Sequence, residues 1–230
     1  DINLEGATLK TAGGRIELGS VKEGFVNLVS TENGFSLNYD AVKDGGDINL
    51  SQQAAVDASG EGAGDIQVWG RNIKIRDGSS IQTSTLGSEN GGNLVVNAQD
   101  SVEVIGISNT QFRSGLAASV YQEATGNGGN LIINTQNFLV RDTGVVGTAS
   151  FGKGNNGKLK IETSKLLVEN GGLIFSISSI FSNIDINADS VTVNRGSILA
   201  TTLSENGNSG NINLDIADLL LMRNTSRISS

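Results

Sequence analysis

From residue 47 onward, short runs of alternating apolar and polar residues return along the chain. They are Asp47-Ile48-Asn49-Leu50, Asp65-Ile66-Gln67-Val68, Asn93-Leu94-Val95-Val96, Asn130-Leu131-Ile132-Ile133, Lys158-Leu159-Lys160-Ile161, Asn183-Ile184-Asp185-Ile186 and Asn211-Ile212-Asn213-Leu214. Successive copies start 18, 28, 37, 28, 25 and 28 residues apart, and most follow glycine. A second run begins seven or eight residues into each of the last six units, as in Asn72-Ile73-Lys74-Ile75 and Asn137-Phe138-Leu139-Val140. A third, weaker run comes next, as in Ser80-Ile81-Gln82-Thr83-Ser84 and Ile198-Leu199-Ala200-Thr201-Thr202.

Alternation with period two puts Ile66, Val68, Ile73 and Ile75 on one face of each strand and Gln67 and Lys74 on the other. Three such strands cannot bury their apolar sides as an isolated turn, so successive units must stack like on like. The expected fold is all-β: a right-handed parallel β-helix with three strands per rung. An antiparallel sandwich also has short strands and glycine-rich turns, but it does not require one residue type at one offset through six units. With neighbouring strands about 4.8 Å apart, seven copies and two further rungs before residue 47 make a rod on the order of 40 Å long. Asp47, Asp65, Asn93, Asn130, Asn183 and Asn211, interrupted by Lys158, form a column at the turn entering the first strand. Asp77, Asp142, Asn170 and Arg195 form another after the second. Asn and Asp tolerate left-handed backbone and can bond from one rung to the next, so both columns are expected to be structural.

Composition agrees with strands and tight turns. Gly is 31 of 230 residues, aromatics are 4%, and Pro, Cys and His are absent. The missing Cys and His remove disulfides, thiolate sites and the commonest metal ligand and general base. No apolar run approaches the roughly 20 residues of a membrane-crossing helix. A formal charge of -8 makes nucleic acid and anionic lipid poor partners.

Several stretches resemble the repeats of the filamentous haemagglutinin family, large two-partner-secretion exoproteins, and its cyanobacterial members in particular. They are Gly13-Gly14-Arg15-Ile16-Glu17-Leu18-Gly19-Ser20, Val56-Asp57-Ala58-Ser59-Gly60-Glu61-Gly62, Thr85-Leu86-Gly87 leading into Gly91-Gly92-Asn93-Leu94, and the unit from Asn97 to Asn134. The resemblance implies export through a dedicated outer-membrane β-barrel transporter, a secreted or cell-surface location, and a shaft used for attachment to a surface glycan or protein. The family's secretion domain carries Asn-Pro motifs and this chain has no Pro. Residues 1–40 are therefore expected to be rungs that follow such a domain, and 41–230 a repeat region cut from a longer array. End-to-end association of the isolated chain is expected from its open terminal rungs.

No residue set nominates a catalytic centre, a metal site or a cofactor. Gly60-Glu61-Gly62-Ala63-Gly64-Asp65 has the flavour of a calcium-binding turn, yet no second copy carries the same Asp spacing. Haem would have to be held by Met222, Tyr39 or Tyr121. The competing functional class is a β-helical carbohydrate-active enzyme, for which Asp142 and Glu169 on neighbouring rungs are the nearest approach to a carboxylate pair. The rung with nine extra residues, Ile105 to Thr125, is the candidate partner-binding loop, with Gln111, Phe112, Arg113 and Tyr121 as its contact residues. Trp69 is placed at a strand corner and expected to pack there.

Overall fold

The computed structural model describes residues 1–31, 34–179, 182–203 and 210–230. Among them only strands and turns occur. The N-terminal part forms β1 (Ile2–Glu5), β2 (Thr8–Lys10) and β3 (Ile16–Gly19), then β4 (Val21–Gly24), β5 (Asn27–Thr31), β6 (Gly34–Asn38) and β7 (Val42–Gly45), then β8 (Ile48–Ser51) and β9 (Ala55–Asp57). Long and short strands then alternate: β10 (Ile66–Arg76), β11 (Ser80–Thr85), β12 (Leu94–Ile105), β13 (Gly115–Val120), β14 (Leu131–Arg141) and β15 (Val145–Ser150). The pattern continues through β16 (Leu159–Glu169), β17 (Leu173–Ser178), β18 (Asn183–Asn194), β19 (Ser197–Thr202), β20 (Asn211–Arg223) and β21 (Arg227–Ser229).

All inter-rung pairing is parallel, in two sheets. One runs β1-β8-β10-β12-β14-β16-β18-β20 with β3 also on β10, and the other runs β2-β9-β11-β13-β15-β17-β19-β21. The chain is a parallel β-helix, as its repeats require. The first and second runs of each unit are one long strand turning a corner, and the register slips there between Gly70 and Asn72 and between Asn97 and Ser101. A bulge bends a strand without ending its ladder, which merges two expected strands into one. Eight strands stack in the longer sheet, and seven spacings of about 4.8 Å put its outer members about 34 Å apart.

Ile66, Val68, Ile73, Ile75, Ile133 and Phe138 are buried, as are Ile81, Leu116, Val146, Ile174 and Ile198 from the third face. The columns entering the first strand are ladders. Asp65 accepts a hydrogen bond from the Asn93 backbone N–H (2.8 Å), Asn93 from that of Asn130 (3.0 Å), and Asn130 from that of Lys158 (2.9 Å). Asp77, Asp142, Asn170 and Arg195 all have positive φ, the left-handed turn conformation their column implied.

The first copy of the repeat is corrected by the register. Ile48 pairs with Ile73 and Leu50 with Ile75, so Asp47-Ile48-Asn49-Leu50 belongs to the second run. The true first run of that rung is Ile16–Gly19, in which Ile16 pairs with Ile66 and Leu18 with Val68. Alternating text is the same on either side of a corner, so pattern alone could not separate the two. Asp47 accordingly leaves its expected column and accepts from Asn72 Nδ2 (2.9 Å), a contact that, ahead of those from Arg71, holds its carboxyl below the usual range. Between Gly19 and Ile48 the chain makes an excursion of two antiparallel pairs, β4 with β7 and β5 with β6.

The expected single loop from Ile105 to Thr125 is also divided. Its middle is β13, in register with β11 and β15. The extra residues fall before it, in the corner 106–114, and after it, in the return to β14.

Candidate functional site

Gln111, Phe112 and Arg113 sit in the 106–114 corner, which is tightly tied. Ser108 N–H donates to the Phe112 carbonyl (2.8 Å), Phe112 N–H to Ser108 Oγ (3.1 Å), and Thr110 Oγ1 to Gln53 Oε1 on a lower rung (2.9 Å). Ile107 bridges Arg113, Gln111 has positive φ, and Phe112 is displayed at 63% exposure. Tyr121 does not join them. It lies just beyond the far end of β13, a strand of 6 residues and about 20 Å that separates it from the corner. There it joins a column of exposed apolar residues, Leu86, Tyr121 and Phe151, which follow the ends of the successive third-face strands β11, β13 and β15; Ser179 after β17 interrupts it before the exposed Leu203 after β19.

Of the carboxylates considered for hydrolysis, Asp142 is paired with Arg141 (3.3 Å) and accepts from Asn170 Nδ2 (3.2 Å). Arg141 is also the register partner of Glu169. In the glycine-rich turn, Glu61 accepts from Ser88 N–H (2.9 Å) and Asp65 Oδ2 from Arg15 (3.0 Å), so both carboxylates are spent on neighbouring rungs. No group of three or more potential metal-ligating side chains occurs among the described residues.

A concavity lies where the excursion folds back over the first face. Arg15 is its anchor, donating to Glu17 Oε1 (2.6 Å), Asp65 Oδ2 and Gln67 Oε1 (3.2 Å). Glu17 in turn accepts from Leu37 N–H (3.4 Å), and Gln67 Nε2 donates to the Leu37 carbonyl (3.0 Å). Two outward side chains thus grip the free backbone edge of β6. They hold the β5–β6 hairpin against the rod and leave a groove of about 640 Å³ beside it. Val29, Ser36 and Asn38 form one wall, and Gln67, Trp69, Asn97 and Gln99 line the side belonging to the rod.

Trp69 does not pack into the corner. Its ring stacks on Tyr39 with centroids 5.0 Å apart and planes 5° from parallel. Tyr39 covers Gly19, where any side chain would collide with the phenol. Tyr39 is 5% exposed and its hydroxyl has no hydrogen-bond partner among the described residues. Burial, with a further push from the Glu17 carboxylate, raises its pKa to about 12. The amides around the pair are held in place. Asn97 Oδ1 accepts from Asn134 (2.7 Å), Gln99 Oε1 accepts from Gly45 N–H (2.7 Å), and Asn38 Nδ2 donates to Asp40 Oδ2 (2.8 Å). Sequence reasoning missed this groove because its hairpin wall is not part of the repeat. The available signal was Gly13-Gly14-Arg15-Ile16-Glu17-Leu18, which has the same pattern as the later first runs and implies an insertion before Asp47.

No protein family, curated protein or solved structure gives a significant match to this chain.

Proposed function

We propose that this chain is a structural and adhesive shaft segment of an exported surface protein. Its work is to extend and display contact features. The observation that carries this reading is the continuous ladder from β1 to β20, whose larger departures among the described residues are the lateral excursion between β3 and β8 and the corner at 106–114. A solenoid accepts such insertions as surface loops while its core continues, which suits presentation of contacts at fixed heights on a rod. The resemblance to filamentous haemagglutinin repeats supports export through an outer-membrane transporter and attachment to a surface.

The test is attachment without turnover. Beads carrying the 230-residue chain are expected to be retained on glycan- or protein-coated surfaces several-fold above uncoated beads, with no soluble sugar released from polysaccharide. Release of soluble sugar that Asp142→Asn with Glu169→Gln abolishes would overturn the reading in favour of a β-helical carbohydrate-active enzyme.

A further inference from the structure

The groove between the hairpin and the first face has the chemistry of a binding site for a particular ligand class. It combines an aromatic pair with the side chains of Asn38, Asp40, Asn97 and Gln99. Amides offer a donor and an acceptor together, which is what vicinal hydroxyls need, and Asp40 adds acceptors. The Asn97 amide nitrogen donates to no described residue, so it has a hydrogen to give. A volume of about 640 Å³ falls in the range of small-molecule sites, about 300–1,000 Å³.

We propose that this groove binds a neutral oligosaccharide, with a sugar ring against Trp69 and its hydroxyls hydrogen-bonded by Asn97, Gln99, Asn38 and Asp40. Neutrality follows from the lining. Among the described residues that line it, Asp40 is the one carboxylate and none is Lys or Arg, so a uronate or sulfate would enter unpaired, against a chain charge of -8. An extended peptide is disfavoured because β10 is already paired on both sides, by β3 and β12, leaving no sheet edge on the floor. The site is preorganised. Tyr39 fixes the indole, Asn134 and Gly45 fix the amides, and little side-chain freedom is left to lose on binding.

The inference deepens the adhesive reading and rests on it in one respect, that the ligand is held and not consumed. Trp69 is the single tryptophan of the chain, so its fluorescence reports the groove directly. The 230-residue chain is titrated with cellohexaose, mannohexaose, xylohexaose and the anionic hexagalacturonate, with saturation-transfer NMR covering binding that leaves the indole emission unchanged. A saturable response to at least one neutral hexasaccharide and none to hexagalacturonate is expected. Asn97→Ala and Gln99→Ala, checked for unaltered melting, should each weaken binding roughly threefold to tenfold, the worth of one hydrogen bond. Lys153→Ala, on the exposed turn after β15, should leave it unchanged. No saturable binding of any neutral hexasaccharide, equal binding of hexagalacturonate, or indifference to both amide substitutions overturns the proposal. Cleavage of a bound hexasaccharide would sink the shaft reading and leave the groove standing. Retention of beads without groove binding would do the reverse.

Discussion

A glycine facing a carbonyl oxygen decides how closely two turns of this rod can approach. A Cβ on Gly129 would be driven into the carbonyl oxygen of Gly92, one on Gly64 into that of Gly14, and one on Gly157 into that of Gly129. Gly129→Ala is therefore expected to cost at least about 2 kcal/mol and to lower the melting temperature by several degrees in a thermal scan. Ile133→Asp is harsher, since Ile133 is fully buried in the stack; it should leave no cooperative melt by circular dichroism. An unchanged melt would mean that inward and outward faces are exchanged. These positions were legible because the same residue type recurs at the same offset in rung after rung. Tyr39 was not, since its contact with Trp69 joins an unrepeated segment to a repeated one across 30 residues. Its raised pKa has a consequence of its own. The fold favours the neutral phenol, so this stabilisation is complete below the unfolded value near 10 and is lost as pH rises toward 12. Tyr39→Phe should flatten that part of an alkaline stability profile.

At the scale of elements, strands were easier to read than their membership. Alternation located the runs around Ile48, Ile66 and Ile73, but the side of the corner occupied by Ile48 depended on a hairpin inserted after Gly19. The third-face strands carry a different electrostatic lesson. Asp57 in β9 stands between Lys10 below, with which it pairs at 3.5 Å, and Gln82 above. Burial pushes its pKa up, but hydrogen bonds from Ser59 and Gln82, with Lys10 nearby, more than reverse this and leave it lowered. A lowered folded pKa stabilises the native state above the unfolded value, about 3.9, and this contribution fades as pH falls through the folded value. Asp57→Asn should therefore cost about 1–2 kcal/mol at pH 7 and less than that near pH 3, as read from urea melts at the two pH values.

For the whole molecule, both sheets finish on strands, β20 and β21, whose outer edges are unpaired among the described residues, and Ile212, Leu214 and Ile216 of β20 are only partly buried. Sedimentation of the isolated 230-residue chain should show association that rises with concentration and falls on Leu214→Lys with Ile216→Lys. A strictly monomeric chain at high concentration would count against open rungs. Stacking also sets the response to load. The chain runs across the rod while the rod extends along its axis, so each turn stores far more contour than it contributes in height. Between Asn130 and Lys158, 28 residues advance the rod by one strand spacing, about 4.8 Å, whereas fully stretched they span roughly 95 Å. Tension applied to the two ends should peel turns off singly and yield a sawtooth of releases near that length in single-molecule extension. A tether built this way lengthens about twentyfold per turn surrendered, and dissipates a sudden pull before it reaches whatever the rod is holding.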